Sequence, residues 1–322
     1  VVVFAGRSLI STAVEDSALS ANGNGERGRA TSASGVRWGT VGPARSVAEI
    51  MLALGISCAA CTTTAPLPAQ AVALNAAGAR AIAEGQLEVA EARLSVALEY
   101  SPRFVEAWVN LGYVELGRGN FEQARRDFLR ARDLNQDIAS PHHALGLLED
   151  DRGHGEEAER HYRAALKVDP GFAPSRANLA RRLFARGQYE NAREQFERLI
   201  EVAPDAVEGW VGEAETLRQL GRPSQAESVV ARAGERFGDV PALRLLRARE
   251  RLDRSDWIDA EALLAPLTGG SNLALASAAW AWIAIARIGR GDVSGASQAA
   301  RAALALDRDD AVARYALTLL PK

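Results

Sequence analysis

The sequence predicts an all-α fold made of stacked helical repeats, and three observations carry this. First, about one residue in five of the 322 is alanine, and among the 38 basic residues only Lys167 and Lys322 are not arginine. Alanine and arginine are strong helix formers, whereas aromatic residues, at 6%, are too sparse for sheets. Second, rows of 34 residues align from positions 71, 105, 139, 173, 207 and 241, and a two-residue insertion near Gly269-Gly270 moves the next starts to 277 and 311. Third, a glycine recurs at column 15 of these rows, where a turn between two helices belongs: Gly85, Gly119, Gly153, Gly187, Gly221 and Gly291.

Bulk composition sets outer limits. A net charge of −3 argues against a dedicated nucleic-acid binder, which carries a basic patch. Two cysteines exclude a disulfide scaffold and a four-cysteine zinc site. No apolar run reaches the roughly 18–20 residues of a membrane span.

In chain order, residues 1–46 come first. Their Gly, Ser, Ala, Asn and Arg follow no helical or strand period, so they read as a disordered leader or an extension upstream of the true start, with Val36, Val41 or Val47 as the expected initiator. Residues 47–61 form an apolar segment behind Arg37 and Arg45 and end in Ala59-Ala60-Cys61. This order of basic, apolar and small residues is that of a secretory signal. With a cysteine after the cut, the segment resembles a bacterial lipoprotein signal. The resemblance implies lipidation of Cys61 and, because Thr62 rather than aspartate follows, an outer-membrane location facing the periplasm. The pattern departs from that family at Cys58, where leucine is usual, and at Glu49. Residues 62–70, with Pro66 and Pro68, are expected to be a semi-extended tether. If 47–61 is not processed, a cytoplasmic location is the alternative.

The repeats follow over 71–322. Column 20 is alanine seven times over: Ala90, Ala124, Ala158, Ala192, Ala226, Ala260 and Ala296. Column 8 is Gly78, Gly112, Gly146, Ala180, Ala214, Ala248 and Ala284, and column 24 is mostly bulky, with Leu94, Phe128, Tyr162 and Phe196 in the first four rows. Columns 20, 24 and 27 lie on one face of a second helix, and columns 4, 7, 8 and 11 on one face of a first. Pro102, Pro170 and Pro204 at column 32 stop the second helix. These residues resemble the tetratricopeptide repeat family, most fully in the second row with Ala107-Trp108-Val109-Asn110-Leu111-Gly112, Ala124, Phe128 and Ala131. The resemblance implies a right-handed solenoid of about seven helix–turn–helix repeats, each stacking on its neighbours to bury its apolar face, with a concave groove lined by first helices. A C-terminal capping helix from 311 completes it. Glu213 and Arg247 at the apolar column 7, and Ser255 in place of a column-15 glycine, predict a weaker seam over 241–276, loosest at Gly269-Gly270. The mostly apolar 311–320 segment predicts self-association through the last helix.

Motifs that carry chemistry are few. Gly23-Asn24-Gly25-Glu26-Arg27-Gly28 has glycine spacing for a dinucleotide but no flanking strand and helix. Cys58-Ala59-Ala60-Cys61 lacks the βαβ setting of a redox site. His142, His143, His154 and His161 all fall in the third repeat, at columns expected to point in different directions, so no metal site is assigned. Acid pairs Glu156-Glu157 and Asp309-Asp310 are expected to favour helix starts. No catalytic residue and no cofactor is assigned.

Function is therefore read from the groove. The resemblance implies that columns 2, 5, 6, 9, 12 and 13 face a bound protein or peptide. The candidate groove residues are Val109, Asn110, Tyr113, Leu116, His143, Leu147, Asp150, Asn178, Arg181, Phe184, Glu215 and Arg218. Tyr113, Phe184 and Arg181 are of the types that form interface hot spots. The lysines with which some relatives clamp chaperone tails are absent. The expected function is a non-enzymatic interaction scaffold, similar to tetratricopeptide lipoproteins that aid assembly of pili or secretion channels. The alternatives are a cytoplasmic scaffold and a module accessory to an envelope polysaccharide enzyme.

Overall fold

A computed structural model describes residues 67–321, which divide into two compact units, 67–170 and 171–321. The leader, the signal-like segment with Cys58 and Cys61, and residues 62–66 of the expected tether lie outside the described residues. Among the described residues there are fifteen α-helices and no strand.

The N-terminal unit holds three antiparallel pairs: α1 (Ala69–Ala83) with α2 (Leu87–Tyr100), α3 (Val105–Gly117) with α4 (Phe121–Leu134), and α5 (Ala139–Asp151) with α6 (Gly155–Val168). The C-terminal unit holds four more and a final helix. Its pairs are α7 (Ala173–Ala185) with α8 (Tyr189–Val202), α9 (Val207–Gln219) with α10 (Pro223–Phe237), α11 (Pro241–Asp253) with α12 (Trp257–Leu264), and α13 (Leu273–Gly289) with α14 (Val293–Leu306); α15 (Ala311–Thr318) ends the chain. This is the helical tetratricopeptide solenoid expected from the 34-residue period.

The columns explain the packing. Every column-20 alanine is at most 1% exposed, because a methyl is all that fits where a second helix packs against its neighbouring first helices. Column-24 side chains Leu94, Phe128, Tyr162, Phe196 and Leu264 are equally buried and fill the space beside them. Each turn closes as a Schellman cap. In the second repeat Gly119 takes φ +77° and the Asn120 N–H donates to the Glu115 carbonyl at 2.9 Å. Ser255 adopts the same left-handed conformation, φ +63°, alone among the described non-glycine residues, and Asp256 closes the same bond to Arg251 at 2.8 Å.

Three boundaries differ from the columns. α1 starts at Ala69, so the last two tether residues are helical. α13 starts at Leu273, four residues before 277, because the Asn272 side chain caps it by accepting from the Leu275 N–H at 3.0 Å. α12 has only 8 residues where its counterparts have 14 or 15, since Pro266 has no N–H to continue the ladder and the chain passes into a 3₁₀ turn, Ala265–Leu267. Among the described residues no helix is long and apolar enough to cross a membrane.

Candidate functional site

The candidate residues sit on first helices, and the two units treat them differently. In the N-terminal unit, Val109 and Leu116 join the core cluster around Phe128 and Leu145 and are at most 5% exposed. They are packing residues and not groove residues, a correction to the column reading. Their apolar side chains are drawn between helices by the hydrophobic gain of about 25 cal/mol per Å². Asn110 is also buried, and its Nδ2 donates to Asn75 Oδ1 at 2.8 Å, which ties α3 to α1. Buried His143 packs its ring 5.7 Å from that of Tyr162. The Tyr162 hydroxyl donates to Asp150 Oδ2 at 2.6 Å. Tyr113 stands edge-on to Phe128 at 5.3 Å. Tyr113, Leu147 and Asp150 remain half-exposed.

In the C-terminal unit the face is a polar network. Arg181 reaches Glu208 Oε1 at 3.0 Å and also donates to Asn178. Asn178 and Phe184 are buried, and the Phe184 ring meets Tyr189 edge-on at 5.3 Å. Glu215, buried, accepts from the Arg249 guanidinium and from Gln219 Nε2 at 3.1 Å. Arg249 in turn lies over the Trp282 ring, 4.7 Å from its centroid. Burial pulls the Arg249 guanidinium below its ordinary value, and the charge of Glu215 opposes that pull. Arg218 pairs with Asp253, and its side chain is 13% exposed. Seven of the twelve candidates are thus buried: Val109, Asn110, Leu116, His143, Asn178, Phe184 and Glu215.

Arg249 and Trp282 were missed by the column reading, although they occupy columns 9 and 6 of the sixth and seventh repeats. Extending the count past the central repeats finds both.

The histidines need a correction too. His142 and His161 do not point apart, because their rings lie 6.1 Å from each other. Columns 4 and 23 meet inside a pair, as Arg176 and Gln195 do in the fourth repeat with a 3.0 Å hydrogen bond. His154 Nδ1 is 2.8 Å from Glu149 Oε2. Among the described residues no group of three or more His, Cys, Asp or Glu is placed to hold a metal ion. The acid pairs sit at helix starts: Glu156 and Glu157 in the first turn of α6, and Asp310 as the cap of α15, accepting from the Ala313 N–H at 2.8 Å.

The tetratricopeptide repeat family matches residues 75–138, 151–210 and 183–250, together just over half of the chain. No curated protein matches in sequence. Among solved structures, the chain is similar to a tetratricopeptide repeat protein from Parabacteroides merdae ATCC 43184, with 16% identity and a TM-score of 0.58 over 78% of this chain and 99% of that one. It is also similar to PilF of Pseudomonas aeruginosa, with 19% identity and a TM-score of 0.53 over 66% of this chain and 96% of that one. At these identities the likeness is one of fold. The recurring small residues of columns 8 and 20, the Schellman turns and the family matches together make this chain a member of the tetratricopeptide repeat family.

Proposed function

We propose that this protein is a non-enzymatic interaction scaffold of the bacterial cell envelope, anchored by lipid on Cys61 and aiding assembly of a pilus or secretion complex. Tetratricopeptide repeats generally mediate protein–protein interaction, and the observation that carries the reading here is the first-helix face. It offers half-exposed Tyr113, Leu147 and Asp150 in one unit and, in the other, Arg181 with the more deeply set Arg218, a mixture of aromatic, apolar and charged groups suited to a protein or peptide. The envelope location is supported by the apolar 47–61 segment ending at Cys61. Self-association through α15 belongs to the same proposal, since Tyr315 is 59% exposed on it and Leu319, its C-cap, 46%.

Fractionation of cells expressing wild type and Cys61→Ser tests the anchor. Membrane association must be lost in the variant; equal partitioning of the two rejects the lipoprotein reading. Capture of envelope partners by the full chain, repeated with Leu147→Glu and Arg181→Glu, tests the face. The captured partner must be released by these changes while helicity is kept.

A further inference from the structure

Columns 7 and 11 of a first helix pack against neighbouring second helices. Column 7 is Ala77, Leu111, Leu145, Leu179 and Ile283 in five of the repeats. α11 instead carries Arg247 at column 7, as α9 carries Glu213; exposed Arg251 follows at column 11, a column that also holds Glu115, Glu149 and Arg287, and Arg254 lies just past the helix end. Its face toward α10 and α12 therefore does not close. A cleft of about 380 Å³ remains, with the three guanidiniums and the carboxylates of Glu227 and Glu250 around apolar Val230 and Leu263.

We propose that this cleft is a binding site for a small anion, a carboxylate or a phosphate monoester. It lies at packing columns of α11, apart from the first-helix face assigned above to a protein partner. Guanidiniums match carboxylate and phosphate oxygens with paired donors. Asp239 and Asp256 at its edge balance these charges, so an anion is held through guanidinium donors and not by net positive charge. Arg254 pairs with Glu227, but Arg251 is 3.5 Å from Asp256 and Arg247 is 3.9 Å from Asp239. Those two distances are long for charge-assisted hydrogen bonds, which run about 2.7–2.9 Å, so donors stay available.

Two further features mark the cleft. The α10 residue beside Arg247 is Gly234, at a column that holds Leu98, Leu166, Ile200 and Leu304 in other repeats, and a Cβ there would collide with Arg247 Nη2. Glu250 Oε1 is buried without a hydrogen-bond partner. Burial and the nearby Glu227 charge hold the Glu250 carboxyl above its ordinary value, against the opposing pull of Arg218, Arg254 and Arg247. Sequences break packing rules of this kind where a site compensates for the lost burial. The volume falls at the small end of ligand sites, about 300–1,000 Å³, and fits a small organic anion better than a peptide.

The test is thermal unfolding of the full chain during titration with inorganic phosphate or citrate at constant ionic strength. Wild type is expected to show a saturable rise in midpoint. Arg247→Gln/Arg251→Gln is expected to weaken the apparent affinity by about tenfold or more, as loss of charge-assisted bonds requires, while Arg125→Gln on exposed α4 surface leaves it unchanged. Arg247→Leu refills the column, so it raises the midpoint without anion and removes the response. A stronger response to phosphate than to citrate assigns a phosphate ligand, and the reverse order assigns a carboxylate. No saturable rise with either anion, or equal responses in wild type and the double variant, overturns the proposal.

Discussion

The ring of Phe128 fills the space that a side chain at Gly112 would need, since a Cβ at 112 would collide with it. Gly78 and Leu94 stand in the same relation in the first repeat, and Gly146 and Tyr162 in the third. In the fourth repeat column 8 is Ala180, and the Phe196 ring lies instead against Gly212 of the next first helix. Helix propensity alone favours alanine over glycine by about 1 kcal/mol. Packing reverses the sign here. Gly112→Ala is expected to destabilise by about 1–3 kcal/mol, the usual scale of overpacking. Urea unfolding monitors it, and adding Phe128→Leu should recover part of the loss.

Ser255 holds a left-handed backbone at φ +63° where six other repeats use glycine. A Cβ in that conformation is strained by roughly 1–2 kcal/mol. Nothing else distinguishes the turn, because the Asp256 N–H still reaches the Arg251 carbonyl at 2.8 Å. Ser255→Gly is therefore expected to stabilise by about 1 kcal/mol despite its added chain entropy. A midpoint that falls or stays level in thermal unfolding would contradict this.

Such positions were legible in the sequence because each is imposed once per repeat. Column 20 must be small and column 15 must tolerate positive φ, so both recur at fixed spacing. What stayed hidden depends on contacts between helices. Val109 and Leu116 look like groove residues by column, yet they are apolar and fall into the core. His142 and His161 meet because columns 4 and 23 cross within a pair, which a reading of one helix face at a time cannot show. The start of α13 follows Asn272, a local cap that overrides the repeat register.

Glu215 and Arg249 carry opposite charges in the same column, one repeat apart, and meet with side chains 3% and 7% exposed. Removing one partner strands a buried charge. Glu215→Ala is expected to destabilise by about 3–5 kcal/mol, and Glu215→Leu/Arg249→Met to recover most of that, because a buried pair is roughly neutral against an apolar isostere. The stranded arginine retains the Trp282 face and Asp253 nearby, which places the expected loss toward the lower end. Chemical denaturation of the two variants decides it: a double variant no better than the single one shows that the pair itself is strongly favourable.

Acid should act on the N-terminal unit in two opposing ways. Burial lowers the His142 and His161 imidazoles below their ordinary value. Arg132 on α4 adds to this for both, as do the neighbouring His142 and Arg160 on α6 for His161, while Glu149 on α5 opposes it. The unfolded chain, near 6.5, then binds protons before the folded one. The stability contributed by the pair is complete above about pH 6.5 and is lost as pH falls toward the folded values. Asp127 runs the other way. It is 3% exposed, its Oδ2 has no partner, and burial pushes its carboxyl up to about 6, with Glu115 reinforcing while the Gln123 bond and Arg126 oppose. The folded state binds this proton more tightly, so acidification from about pH 6 to about pH 4 stabilises through Asp127. Unfolding midpoints across that range should therefore separate by variant. His142→Gln/His161→Gln should lose less stability in acid than wild type. Asp127→Asn keeps an acceptor for Gln123 and removes the buried charge, so it should exceed wild type at neutral pH and lose that advantage near pH 4. Profiles parallel to wild type in both variants would show that neither group titrates with folding.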